Sequence, residues 1–148
     1  MRINIIKTTL THLDEIYALE KECFSEPWSV VSIANEINHP NAVCLTAVDE
    51  SETVVGYASM RAVLDEGYIN NIAVMPSFRK RGIGQMLLEE LICESKTCGV
   101  LALSLEVRSK NQPAILLYQK LGFITCGVRK NFYKYPSDDA YIMWKENT

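Results

Sequence analysis

The sequence predicts an α/β (or α+β) fold of three layers, in which flanking helices cover a mixed, mostly antiparallel central sheet. Two observations predict this class. Strand-like and helix-like segments alternate along the chain, and residues 68–107 read as strand, helix and strand, which requires a parallel pair with a right-handed crossover. A chain of 148 residues that is 48% apolar suffices for one domain, so we expect a single domain over residues 1–148.

The predicted elements follow the order β-α-α-β-β-β-α-β-α-β-β. In the first half, a helix starts near Thr11, and Ser29 is placed to cap a second helix, which ends at His39 and Pro40. The acidic residues 49–52 link two strands as a hairpin. The strands of this half are predicted over residues 3–6, 43–48, 53–60 and 68–74.

The second half contains the helix with the clearest periodicity. It is predicted over residues 83–95, where apolar pairs at 87/88 and 91/92 lie one turn apart. A shorter helix is predicted over residues 113–121, and Asn111 is placed to cap it. The remaining strands are predicted over residues 100–107, 123–128 and 140–144.

The charge balance excludes some classes of partner. There are 15 Lys and Arg against 18 Asp and Glu, a formal charge of −3, which argues against nucleic-acid binding through bulk charge. No apolar run approaches the roughly 18 residues of a membrane span. We therefore expect neither a nucleic acid nor a membrane as partner.

The five cysteines indicate a reducing compartment. An odd number without a recognisable secretion signal fits free thiols, so we expect a cytoplasmic protein. Cys93 and Cys98 form the only close pair, and His12 and His39 lie far from them in sequence. A structural zinc site would need four ligands, so we expect no metal.

Residues 79–84, which read RKRGIG, lie between a predicted strand and a predicted helix. Two glycines let the backbone approach a ligand, free amides at a helix start attract an anion, and three adjacent cations suit a phosphorylated ligand. A dinucleotide fingerprint fails at Leu87, and a P-loop fails because Gln85 and Met86 follow Gly84. The alternative is a simple turn whose cations form a solvated surface.

Glu106 and Tyr118 are candidates for acid–base chemistry. Glu106 lies near the end of a strand that should be covered on both faces, so its carboxylate is either used as a general base or held in a structural ion pair, for instance with Arg108. Tyr118 falls at helical spacing with Ile115 and Leu121, as a core aromatic would. Its phenol could instead donate a proton to a departing thiolate.

The arrangement R-x-x-G-x-G, after a strand reading NIAV and before an amphipathic helix, resembles the acetyl-CoA motif of the GCN5-related N-acetyltransferases. The resemblance implies that loop amides hold the pyrophosphate of coenzyme A and that the preceding strand binds the pantetheine and acetyl arm. The residues implicated are Ile72, Ala73, Val74, Lys80, Arg81, Gly82, Ile83, Gly84 and Gln85.

A narrower resemblance extends from Pro27 to Met143 and is to the bacterial ribosomal-protein-alanine N-acetyltransferases. The segments that carry it are PWS at 27–29, LEVR at 105–108, LY at 117–118, LGF at 121–123 and RKNFY at 129–133. It implies Glu106 as general base, Tyr118 as general acid and Asn111 as a cofactor contact. Pro113 replaces a more usual Ala, in a first helical turn that tolerates it.

On the acceptor side, the same resemblance implies that the loop around Trp28 and residues 129–135 line a peptide groove, with Tyr133 and Tyr135 as substrate contacts. The alternative for Trp28 is packing between the first two helices. For the two tyrosines it is an ordinary hairpin surface.

The implied function is transfer of an acetyl group from acetyl-CoA, as cosubstrate and without a metal, to the N-terminal alanine of a small-subunit ribosomal protein. No cysteine has a base at a recognisable spacing, which favours direct transfer in a ternary complex. Two alternatives stay open: acetylation of a small-molecule amine, and a module that senses acyl-CoA without turnover.

Overall fold

Residues 2–147, which the computed structural model describes, form seven β-strands and four α-helices. The strands are β1 (Asn4–Lys7), β2 (Ala42–Val48), β3 (Val54–Val63), β4 (Glu66–Val74), β5 (Ala102–Arg108), β6 (Ile124–Lys134) and β7 (Ser137–Glu146). The helices are α1 (Leu13–Cys23), α2 (Val30–Asn38), α3 (Ile83–Thr97) and α4 (Gln112–Lys120). The predicted order of strands and helices is therefore confirmed.

All seven strands belong to one mixed sheet with the order β1-β2-β3-β4-β5-β7-β6. The pair β4–β5 is parallel, and the other neighbouring pairs are antiparallel. The predicted hairpin between β2 and β3 and the predicted strand-helix-strand unit are both present. The crossover through α3 thus produces the parallel pair.

The sheet opens between β4 and β5. These strands pair only at their starts, where residues 66–68 of β4 lie opposite residues 102–104 of β5. Farther along, β4 continues to pair with β3 alone, and β5 with β7 alone. Backbone groups on the facing edges therefore have no strand partner among the described residues, and buried backbone polar groups require another one. This splayed gap is the feature that positions the site.

Helices cover both faces of the sheet, which confirms three layers. Helices α3 and α4 pack on one face, where Leu87, Leu88, Leu91 and Ile115 join the larger core. Helices α1 and α2 pack on the other face, where Ile16, Leu19 and Ile33 form a second core with residues of β2, β3 and β4. Within residues 2–147, no helix is long and apolar enough to cross a membrane.

The terminal hairpin is longer than the sequence indicates. Strand β6 continues through residues 129–134 and β7 already begins at residue 137, whereas the sequence predicts no strand there because Arg, Lys, Asn, Ser and Asp interrupt the apolar alternation. Their pairing also shifts register between Arg129 and Tyr133, and Asn131 adopts a positive φ of 53°. This segment carries Arg129, which lies beside Glu106 of β5.

The cap predicted for the second helix is present, because the Ser29 hydroxyl accepts a 3.1 Å hydrogen bond from the Ser32 amide. We expect Ser29→Ala to lower the free energy of unfolding by about 1 kcal/mol, measured by urea denaturation. Ser51→Ala is the matched control, since that hydroxyl lies in the exposed β2–β3 turn. Equal stability of the two variants would contradict a capping role for Ser29.

Candidate active site

The loop between β4 and α3 exposes backbone amides at one end of the splayed gap. Gly82 is the N-cap of α3 with a φ of 79°, and Lys80 just before it also has a positive φ of 63°. The Met86 amide donates to the Gly82 carbonyl at 3.0 Å, which is the first hydrogen bond of the helix. The amides before Met86 in the first turn therefore have no acceptor within the helix. A Cβ added at Gly82 would meet no atom within 4 Å. The loop is thus open to an anion.

The three cations of this loop have different roles. Arg79 turns back to the end of β4, where its Nε donates to the Val74 carbonyl at 3.2 Å and its Nη2 lies 3.5 Å from the Cys23 sulfur. Arg81 lies over the Phe78 ring, at 5.1 Å from its centroid. Lys80 is exposed. Arg79 therefore braces the strand, and Lys80 and Arg81 remain at the mouth of the loop.

Glu106 lies on β5 beyond the residues that pair with β4, at the splayed gap, and its side chain is only 11% exposed. The Tyr68 hydroxyl donates a hydrogen bond to its Oε1. The Arg129 Nε lies 2.7 Å from its Oε2, as an ion pair without aligned hydrogen-bond geometry. The ion-pair alternative is therefore realised with Arg129 and not with Arg108, and the carboxylate still lies beside the gap.

Tyr118 combines a packed ring with an unbonded hydroxyl. The ring packs against the larger core and meets Phe123 edge-on, with centroids 5.9 Å apart. The hydroxyl makes no hydrogen bond to any residue from 2 to 147. Burial, and secondarily the nearby Tyr133, raise the pKa of Tyr118 well above its ordinary value. The phenol is therefore protonated at neutral pH and can act as a donor.

The side chain of Asn111 caps α4, as predicted, by accepting a 3.3 Å hydrogen bond from the Ala114 amide. That bond occupies its carbonyl oxygen and fixes the start of the helix that carries Tyr118. Contact of Asn111 with the cofactor stays a prediction.

Two residues beyond Glu106 on β5, Arg108 joins the terminal hairpin to the connection between α1 and α2. Its guanidinium lies 4.3 Å from the centroid of the Tyr133 ring and donates to the Pro136 carbonyl at 2.7 Å. It also reaches the Ser25 hydroxyl at 3.4 Å. Tyr135 is 67% exposed. Arg108, Tyr133 and Glu106 thus lie on one surface, although Arg108 is not the ion-pair partner of Glu106.

Trp28 packs against the second core between α1 and α2, which is the alternative named for it above. Its backbone amide donates to Oε1 of Glu20 at 2.8 Å. Glu20 is fully buried and also accepts from the Tyr57 hydroxyl and from Asn71 Nδ2. Burial raises the pKa of this carboxyl, although its three donors oppose the shift. Glu20 therefore ties the Trp28 loop to β4, one residue before Ile72.

Two residues of this region, Tyr68 and Glu20, were not predicted, and Arg129 was predicted only within the groove segment 129–135, not as the ion-pair partner of Glu106. Tyr68 could have been found from the parallel pairing, because it lies opposite Ser104, two residues before Glu106 on the same strand face. Arg129 and Glu20 reach their partners only through tertiary packing, for which the sequence has no local signal.

The structure offers little for a metal or a thiol nucleophile. No group of three or more His, Cys, Asp or Glu within the described part of the chain could hold a metal ion. Burial raises the pKa of Cys44 to about 12 and also raises the pKa of Cys23. Neither buried thiol would form a thiolate at neutral pH.

Comparison with known proteins agrees with this geometry. The model of the acetyltransferase (GNAT) family matches residues 13–123. The ribosomal protein bS18-alanine N-acetyltransferase of Salmonella typhimurium is 40% identical over 144 residues, covering 95% of this chain and 94% of the relative. The crystal structure of the ribosomal-protein-S18-alanine N-acetyltransferase from Escherichia coli superimposes with a TM-score of 0.91, at 33% identity over 99% of this chain and 95% of that one.

The fold is also that of Arabidopsis thaliana NAA60, solved in complex with acetyl-CoA, at a TM-score of 0.89 and 21% identity over 98% of each chain. The match to the family model spans most of the sequence, and the relatives are similar over nearly their full lengths. The chain therefore belongs to the GNAT family of acetyltransferases and, within it, to the ribosomal-protein-alanine N-acetyltransferases.

Proposed function

We propose that the protein transfers the acetyl group of acetyl-CoA directly, in a ternary complex, to the N-terminal alanine of a small-subunit ribosomal protein. One observation carries the proposal: the splayed gap has unpaired strand backbone on one side and Glu106 on the other. An anion-binding loop lies at the end of the same gap. The similarity to enzymes named for bS18 supports this acceptor, and a ribosomal protein as acceptor implies that the enzyme acts in the cytoplasm. Similarity over nearly the full length of these relatives supports a single catalytic domain over residues 1–148.

The residues of the gap fit acetyl-CoA. The loop from Lys80 to Gln85, with Gly82 free of neighbours at its Cβ position and the start of α3 beside it, would hold the pyrophosphate. The edge of β4 at Ile72, Ala73 and Val74 has no strand partner on the side of the gap, so the backbone groups that point into the gap, apart from the Val74 carbonyl that Arg79 bonds, would hold an extended pantetheine arm. Acetyl-CoA supplies the thioester whose carbonyl carbon is attacked.

The chemistry follows from the two titratable groups. A neutral amine attacks the thioester carbonyl, a C–N bond forms, and the C–S bond breaks. Glu106 accepts the proton that the nitrogen carries after attack, and Tyr118 donates its proton to the departing sulfur. A backbone amide of β4 would stabilise the negative charge that develops on the carbonyl oxygen. The products are an acetylated N-terminus and coenzyme A.

The acceptor would lie between the Trp28 loop and the terminal hairpin. Arg108 holds these two segments together through Ser25 and the carbonyl groups of Tyr135 and Pro136. Tyr133 and the exposed Tyr135 provide aromatic surface for the first residues of a peptide. Trp28, packed in the second core, would shape the groove from below rather than form its open surface.

We expect the charge-reversing substitution Lys80→Glu to raise the dissociation constant for coenzyme A by about tenfold, because a carboxylate replaces an ammonium beside the pyrophosphate. Isothermal titration calorimetry measures this constant, and the effect should shrink as salt is added. Lys7→Glu is the matched control, since Lys7 lies on β1 at the far edge of the sheet. Equal affinities in both variants would contradict the assigned loop.

A thiol-release assay tests the proposed function. Purified protein and acetyl-CoA are combined either with a basic peptide that begins with Ala or with a panel of small amines. We expect turnover of the peptide and little turnover of the small amines. Turnover of the small amines but not of the peptide would contradict the proposed acceptor and identify a small-molecule acetyltransferase. Tight binding of acetyl-CoA with no thiol released from any amine would show a sensing module instead of an enzyme.

A further inference from the structure

Both oxygens of the proposed base are already engaged. Tyr68 donates to Oε1 of Glu106, and the Arg129 Nε lies 2.7 Å from Oε2. The Arg129 side chain is 58% exposed, so it occupies the solvent side of a carboxylate that is itself only 11% exposed. An approaching amine therefore meets a carboxylate whose charge a guanidinium already balances.

The neighbouring carboxylates are engaged as well. Asp138 accepts hydrogen bonds from the Ser109 hydroxyl and from the amides of Lys110 and Asp139. Asp139 lies 3.6 Å from the Lys130 ammonium and accepts from the Asn131 amide. Tyr68 and Tyr133 also lie near Glu106, the Arg108 guanidinium lies over the Tyr133 ring, and Tyr118 lies near Tyr133. The two carboxylates of β7 on this surface, Asp138 and Asp139, therefore already have partners.

The environment of Glu106 favours neutral amines over protonated ones. An N-terminal α-amine has a pKa near 8 and is substantially neutral at physiological pH, whereas a lysine ε-amine, with a pKa near 10.4, is almost entirely charged. A charged amine at Glu106 would leave water for a carboxylate whose charge the Arg129 guanidinium already balances, which is costly. A neutral amine meets no such penalty.

We infer that Arg129 is a specificity-determining residue: its guanidinium on Glu106 makes the site accept neutral N-terminal amines and reject the ammonium groups of lysine side chains. The inference rests on the proposed function, because it concerns the choice of acceptor at that same carboxylate. Arg129 acts through Glu106 and through its own charge, and it takes no part in the proton transfers.

The test uses two matched basic peptides. One begins with a free Ala and contains no lysine, and the other is blocked at its N-terminus and contains one lysine. The kcat and KM of each are measured for the wild type, Arg129→Gln and Arg129→Lys, with mass spectrometry to locate the acetyl group. Unfolding curves establish that each variant is folded.

The wild type should favour the α-amine by at least about 100-fold in kcat/KM. The difference between the neutral fractions of the two amines at physiological pH would alone produce a ratio of this size. Arg129→Gln should narrow this ratio by about tenfold or more, mainly by lowering the KM for the lysine peptide, because a free carboxylate then binds its ammonium. Arg129→Lys keeps the positive charge and should keep most of the selectivity. This rescue separates a role of charge from one of packing.

An unchanged ratio in Arg129→Gln would overturn the inference, and so would an equal loss of selectivity in Arg129→Lys. Either result would leave the proposed function intact, provided that the wild type acetylates the Ala peptide. Failure of the wild type to acetylate that peptide would overturn the proposed function, and the inference with it.

Discussion

Glu106→Gln is expected to slow acetyl transfer by at least about 100-fold while acetyl-CoA still binds. The amide has nearly the same shape as the carboxylate and can still accept the Tyr68 hydroxyl bond, but it cannot take a proton from the attacking amine. The rate is measured by thiol release with saturating peptide, and acetyl-CoA binding by calorimetry. A large loss in kcat with an unchanged dissociation constant identifies a group that acts in the transition state.

Two controls accompany this variant. Glu89→Gln changes an exposed carboxylate of α3 and should leave the rate at the wild-type level. Urea denaturation is the second control: the amide keeps the shape of the carboxylate and the Tyr68 hydrogen bond, and the unfolding curve establishes that the variant is folded. A wild-type rate in Glu106→Gln would remove this residue from the mechanism.

Tyr118→Phe is the second large effect, and we expect at least about a 100-fold loss in kcat. The ring packing against Phe123 is retained, and the deleted hydroxyl has no hydrogen-bond partner among residues 2–147, so the fold loses nothing that would confuse the result. What disappears is the proton donor for the departing sulfur. The measurement is single-turnover thiol release with the Ala-starting peptide.

The raised pKa of Tyr118 adds a second signature. The phenol stays protonated in the folded protein from neutral to mildly alkaline pH, so the ratio of wild-type to variant rates should be constant across that range. Tyr17→Phe, on α1, is the control for loss of a tyrosine hydroxyl elsewhere in the chain. A variant rate equal to that of the wild type would remove the proposed general acid.

Most of the fold could be predicted because its strands and helices carry clear apolar periodicity. Helix α3 buries one stripe at Ile83, Leu87, Leu88 and Leu91, and the parallel pair β4–β5 follows from the crossover that this helix makes. The ends of β6 and β7 that meet at the hairpin turn could not be predicted, since their sequence is mostly polar and lacks the alternation of apolar and polar residues that indicates a strand. The length of these strands is set by the hydrogen bonds between β6 and β7, which leave no pattern in the sequence.

The site divides in the same way. The loop at Gly82 and the strand position of Glu106 are local features, readable from residue type and spacing. Arg129 meets Glu106 although β7 lies between their strands, and Glu20 on α1 meets Asn71 of the sheet and the Trp28 amide. Such contacts depend on how the sheet and helices pack. The local sequence therefore suggested Arg108 as the ion-pair partner, and the structure corrected it to Arg129.

The most direct test of the account is mass spectrometry of the N-termini of small-subunit ribosomal proteins, taken from cells that contain this gene and from cells that lack it. We expect one small-subunit protein that begins with alanine to be acetylated in the first sample and unacetylated in the second. Restoring the wild-type gene, but not Glu106→Gln, should restore the acetyl group. Identical N-terminal acetylation with and without the gene would contradict the proposed acceptor.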